Sequence, residues 1–241
     1  MKGGTLGRAP GSMWTQRRRN GRSKFVFLMR AWVWVGIGLC ASIYSLSFLY
    51  TPPLPPPPSL PRNYNMFTYV TVELPALLRT HFSSTLLPNT QSICGHSMGG
   101  HGALICAMKS SLASSSSSSG ITYASVSAFA PIAHPTSCPW GQKAFGGYFG
   151  SEEEEEEGWA AWDATLLMET NGPFPFPVLV DQGTADKFLE EQLKPEALEA
   201  ACVKNGQKAE IRRQKGYDHS YFFISTFLAE HIDFHADALG L

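Results

Sequence analysis

Short strand-like runs alternate with stretches of helical period through most of this chain. The strand-like runs fall at 90–95, 121–130, 177–182 and 209–215, and the helical ones at 65–82, 98–112, 188–205 and 220–238. A further excursion covers 134–170. Strands that alternate with helices imply parallel strands joined by crossover helices, hence the α/β class.

The junction between the run at 90–95 and the helical stretch at 98–112 carries the clearest chemistry. Gly95, His96, Ser97, Met98 and Gly99 form a Gly-x-Ser-x-Gly pattern, with further glycines at 100 and 102. In this pattern a strand reverses in one tight turn and enters a helix, so Gly95 and Gly99 let neighbouring backbone pass without a Cβ clash, while Gly100 and Gly102 loosen the packing. Ser97 is the candidate nucleophile. The plain alternative is an ordinary serine in a glycine-rich turn.

A serine alcohol is a weak nucleophile and needs a base and an orienting carboxylate, which this turn usually has downstream in the order Ser, Asp or Glu, His. His219 lies in a polar turn between the strand-like 209–214 and the apolar helical run 221–228, where a catalytic loop on a parallel sheet belongs. His134 is a weaker rival. His231 and His235, four apart on the final helix, suggest a metal pair but lack a third ligand, so a solvated helix face is the expectation for them. For the acid, Asp181 ends an apolar strand and Asp186 lies in the loop beyond it. Spacing leans toward Asp186 and leaves Asp181 open.

Six stretches in one order now carry a resemblance: Tyr69 to Pro75, Gly95 to Leu104, Ser125 to Ile132, Cys138 to Gly141, Asp181 to Gly183 and Gly216 to Tyr221. Residues 63–241 resemble the C-terminal part of the S-formylglutathione hydrolase family, also called esterase D, which are cytosolic serine thioesterases. The resemblance implies an N-terminally truncated α/β-hydrolase fold and hydrolysis of S-formylglutathione to glutathione and formate, with some general carboxylesterase activity. It places the nucleophile on Ser97, the acid on Asp186 and the base on His219, and it requires no metal or organic cofactor. The backbone N–H of Met98 would be one oxyanion donor. The second donor belongs to a family loop absent from this chain, and Trp140 is a candidate for the substrate pocket. Trp140, Phe145, Tyr148 and Trp159 could equally be packing for the excursion itself.

Residues 1–62 are a different kind of sequence. Nine basic and no acidic residues precede Glu73, against ten basic and twenty acidic from Glu73 onward. The uncharged stretch 31–50 after a basic cluster reads as a signal-anchor, and 51–62 as a Pro-rich linker. A second reading is translated intron. From Ser45 to Pro61 nearly every residue is Ser, Leu, Phe or Pro, which share all-pyrimidine codons. Membrane association follows only if the anchor is genuine, and a membrane-tethered hydrolase-like module without an assembled site is the alternative function. The acidic 73–241 portion excludes nucleic acid as an expected partner. Oligomeric state, a homo-oligomer included, is left open.

Five cysteines without close pairs suit reduced thiols, with Cys94 and Cys106 as core fillers and Cys138 in a loop where it could be exposed. A serine run from 114 to 119 and a glutamate run from 152 to 157 fall where loops are expected.

Overall fold

The computed structural model describes residues 65–84, 86, 87, 90–114, 122–149 and 158–241. The expectations for residues 1–62, for the serine run past Ser114 and for the glutamate run concern residues outside those described. Two helical turns, Met66–Thr68 and Tyr69–Glu73, lead into α1 (Leu74–Phe82). Then follow β1 (Thr90–His96), α2 (Met98–Ser114), β2 (Thr122–Phe129), α3 (Pro139–Phe149) and α4 (Ala164–Asn171). The chain closes with β3 (Val178–Gly183), α5 (Pro195–Lys204), β4 (Ala209–Gln214) and α6 (Tyr221–Leu239).

The four strands form one sheet in the order β1-β2-β3-β4, with every neighbouring pair parallel. Parallel neighbours need crossover helices, and right-handed crossovers taken in one direction along a sheet put those helices on one face. Accordingly α2, α4 and α5 pack side by side, and α6 crosses the sheet against β1, β2 and β3. Both faces are thereby covered, which is why all six residues of β3 are buried.

Two apolar clusters result. Ala103, Leu104, Ala107 and Met108 of α2 share one with Val126 and Ala128 of β2 and Val178 and Val180 of β3. Phe129, Ile132, Leu193, Phe223 and Ile224 form the other, with Met98 and Trp140 packed against it. Fully burying each large side chain is worth about 1.5–3 kcal/mol. At the sheet's far edge β4 carries Glu210, Arg212 and Arg213, charges of the kind that discourage pairing with another chain.

The structure corrects the sequence reading at two places here. The expected helix 188–205 is split into a turn at Leu189–Leu193 and α5, because Pro195 disfavours helical backbone at the preceding residue and Lys194 sits at φ 50°, ψ 43°. Cys138 is fully buried: its thiol points back to the Pro135 carbonyl and accepts from the Gly141 amide. Among the described residues no helix is long and apolar enough to cross a membrane.

Candidate active site

Ser97 sits between β1 and α2 at φ 56°, a left-handed conformation that costs a non-glycine residue free energy. Three backbone bonds hold it there. Its amide donates to the Phe129 carbonyl at 2.8 Å, and its carbonyl accepts from the amides of His101 and Ile132. A Cβ on Gly95 would lie 2.0 Å from the Gly99 carbonyl oxygen, so only glycine fits at 95. Gly99 and Gly102 have open space around them, whereas a Cβ on Gly100 would crowd Pro131 and Ala128. The crowding that demands glycine is therefore at 95, with a tighter than usual fit at 100. Met98 opens α2, and the first amides of a helix have no partner within it, so its N–H is available at the turn.

Asp186 and His219 meet across two loops. The His219 Nδ1 lies 2.5 Å from Asp186 Oδ2, and Asp186 also accepts from the Phe188 amide at 2.9 Å and from Gln182 Nε2 at 3.3 Å. Burial opposes ionisation of Asp186, but these bonds outweigh it and hold the carboxyl below its ordinary range. The loops are stapled together: the Thr184 amide donates to Gln214, the Ala185 amide to Tyr217 and the Gly216 amide to the Thr184 hydroxyl. A Cβ on Gly183 would lie 2.3 Å from the Tyr217 carbonyl oxygen, so glycine at the end of β3 is what admits the loop that carries His219. His219 has Asp186 as its one hydrogen-bond partner among the described residues. His96, the residue before Ser97, lies with its ring centroid 4.5 Å from that of His219.

The rival residues have other partners. His134 bonds Asp163 at 2.8 Å, and Asp163 caps α4 through the Thr165 and Leu166 amides. Asp181 is saturated by the Arg212 guanidinium, Gln214 Nε2 and His231 Nε2. Burial works against its charge, yet those three partners bring its carboxyl down to about 2.

His231 and His235 are not on a solvated face, as the sequence suggested. Both are buried, at 1% and 0% exposure, against serines of β2. His231 Nδ1 meets Ser127 Oγ at 2.8 Å. His235 bonds Ser127 through Nε2 and Ser125 through Nδ1, each at 2.7 Å, and Ser125 bonds Ser92 of β1. One proton assignment satisfies the whole chain. Ionised Asp181 accepts from His231 Nε2–H, so the neutral His231 Nδ1 accepts from Ser127, Ser127 from His235, His235 from Ser125, and Ser125 from Ser92. Burial holds both histidines neutral, His235 with its pKa down to about 3. With all four ring nitrogens occupied, neither can ligate a metal or serve as a base.

The Esterase family model matches residues 53–234. The chain belongs to the esterase family. It is 48% identical over 179 residues to mouse S-formylglutathione hydrolase, covering 74% of this chain and 58% of that one. The Paracoccus denitrificans S-formylglutathione hydrolase is 47% identical over 178 residues, with the same coverage. An Agrobacterium tumefaciens S-formylglutathione hydrolase structure superimposes with a TM-score of 0.63 at 42% identity, covering 72% of this chain and 57% of that one. The chain spans 58% of the length of these curated relatives. Lactobacillus rhamnosis esterase B, 13% identical with a TM-score of 0.54, shares the fold alone. The fold is that of the α/β-hydrolases, with Ser97 at its strand-to-helix turn.

Several contributors were missed in the sequence. Gln182 and Gly183 were legible only as part of a resembling stretch, although a glycine straight after a buried strand signals close backbone approach. The excursion's aromatic residues pack on one another, Phe145 with Trp159 at 5.8 Å and Phe149 with Trp162 at 5.5 Å. Trp140 differs from them. It packs on the same cluster as Met98, and its amide donates to Gln192 Oε1.

Proposed function

We propose that this chain is the nucleophile-, acid- and base-bearing part of a serine thioesterase that hydrolyses S-formylglutathione to glutathione and formate. The observation that carries the reading is the Asp186–His219 pair, held across two stapled loops in a fold whose strand-to-helix turn presents Ser97. With Nδ1–H donated to Asp186, His219 keeps Nε2 free to accept a proton. In the proposed reaction Nε2 takes the Ser97 proton as Oγ attacks the thioester carbonyl. The tetrahedral oxyanion is stabilised by the Met98 N–H at the helix N-terminus. Collapse breaks the C–S bond, and His219 returns its proton to the departing thiolate to give glutathione and formyl-Ser97. Water then attacks the formyl ester, His219 takes its proton, and formate leaves as Ser97 regains its hydrogen. Trp140, packed on the same apolar cluster as Met98, would line the pocket.

Sequence similarity to named S-formylglutathione hydrolases supports the substrate, and the four free cysteines among the described residues suit a cytoplasmic location. A fluorophosphonate probe is expected to label Ser97, with S-formylglutathione hydrolysed by the same preparation. Ser97→Ala removes both. Labelling that persists in that variant would overturn the assignment.

One observation favours a second reading, a hydrolase-like module without turnover. His219 makes no hydrogen bond to the Ser97 hydroxyl among the described residues. Such bonds often tighten only in the substrate complex, so labelling of Ser97 separates the two.

A further inference from the structure

His219 is braced by two aromatic side chains, and each is tied to a different member of the proposed triad. His96 lies 4.5 Å away, centroid to centroid, with its plane tilted by 43°, and it directly precedes Ser97 in the chain. Phe188 meets His219 edge-on at 5.1 Å, and its amide donates to Asp186. The ring that would take the nucleophile's proton while the acid orients it therefore packs on one residue tied to each.

The Nε2 of His96 is buried and has no hydrogen-bond partner among the described residues. A buried polar atom without a partner costs free energy that a carbocyclic ring at this position would avoid. The groups facing His96 are His219, Asp186 and the Tyr221 ring at 6.5 Å. Burial, reinforced by the nearby His219, lowers the His96 pKa to about 4 against a weaker opposite pull from Asp186. His96 is consequently a neutral ring across the physiological range.

We propose that His96 is a positioning residue for His219: its neutral ring fixes the His219 imidazole in the orientation that meets Asp186 and adds no positive charge beside it. This rests on the reading of His219 as the base. When His219 takes the Ser97 proton it becomes an imidazolium, and a cationic neighbour 4.5 Å away would oppose that charge. A neutral aromatic face accommodates it.

The test uses the full chain and three substitutions, His96→Phe, His96→Gln and His96→Ala, with kcat and KM for S-formylglutathione and the thermal midpoint recorded for each. Phe keeps a neutral ring, and His96→Phe is expected within about threefold of wild-type kcat. Gln and Ala lose the ring and are expected to drop kcat about tenfold, less than the hundredfold a 1 Å misplacement can cost, with KM moved less than about twofold. The same variants are read by proton NMR, which does not depend on turnover. The downfield Nδ1–H resonance of His219 bonded to Asp186 should stay sharp in wild type and His96→Phe and broaden in His96→Ala. If wild type shows neither hydrolysis nor labelling, the thioesterase reading fails and the NMR comparison still decides the positioning role. A His96→Ala variant with wild-type kcat and resonance overturns the proposal. So does His96→Phe falling as far as His96→Ala, or an effect confined to KM.

Discussion

Among the described residues, two aspartate–histidine pairs join the same two segments of the chain, and their surroundings are opposite in character. Asp181 and His231 join β3 to α6 at 3.0 Å, and Asp186 and His219 join the loop after β3 to the loop before α6 at 2.5 Å. In the first pair the histidine side chain is 1% exposed, both its ring nitrogens are bonded, and three side chains surround the aspartate. In the second the side chain is 17% exposed, and Asp186 is its one hydrogen-bond partner among the described residues. The distance between acid and imidazole does not distinguish them. An unfilled nitrogen does, because a base needs somewhere to put a proton.

The inner pair also serves the outer one. The bonded series from Ser92 of β1 through Ser125, His235, Ser127 and His231 to Asp181 ties three strands to α6. α6 begins two residues after His219, so the helix that the inner series anchors fixes the end of the loop carrying this proposed base.

The contrast can be broken at several points. The largest expected effect is at the outer pair. His219→Ala should lower turnover on the order of 10⁴-fold with the fold intact, since the loss is confined to proton transfer. At the inner pair the effect should move from rate to stability. Asp181→Asn leaves Arg212 and His231 without their buried anion, and breaking a buried pair in this way costs about 3–5 kcal/mol. Urea unfolding should show that loss, while kcat per folded molecule stays within a few fold. Gly183→Ala tests the link between the pairs. Its Cβ has no room beside the Tyr217 carbonyl, so the His219 loop must shift, and kcat should fall by about ten- to a hundredfold in steady-state assays.

The smallest effect is the pH dependence of stability. His231 and His235 stay neutral in the fold, whereas in the unfolded chain they take up protons below their ordinary value of 6.5. The unfolded state then binds more protons, so stability falls as pH drops below 6.5, and for His235 the fall continues to about 3. The stabilisation from Asp181 persists over most of that range and is lost only as pH falls from 3.8 toward 2. Urea midpoints at pH 7 and pH 5 should show the decline, and His235→Leu should flatten it.

Much of this was legible in the sequence, and the reasons differ from residue to residue. Parallel strands covered on both faces sit among helices of regular period, so the four strands, α2 and α6 could be placed from the sequence, whereas α3 and α4 lay hidden in the excursion and α5 was run together with the turn before it. Gly95 and Ser97 were legible because a strand-to-helix reversal permits few residues at those positions. Asp186 was not singled out by spacing, because the difference from Asp181 lies in Arg212, Gln214 and His231, which come from elsewhere in the chain. The burial of His231 and His235 had a readable signal. They continue the stripe of Ile224 and Leu228 at helical spacing, and Ser125 and Ser127 supply paired polar positions in an otherwise apolar strand. A histidine counts as polar in such patterns, so the stripe looked as though it ended early. Cys138 was read as one that could be exposed because a loop is usually wet, whereas Gly141 lets the Pro135 carbonyl close over it.

The most direct measurement is fluorophosphonate labelling of Ser97, mapped by peptide mass spectrometry, in folded wild type, Asp186→Asn and Asp181→Asn. Wild type and Asp181→Asn should label at similar rates, and Asp186→Asn should label slower by several orders of magnitude. Folded Asp181→Asn that fails to label, with Asp186→Asn still reactive, would contradict the division of the two pairs into an anchoring one and a reacting one.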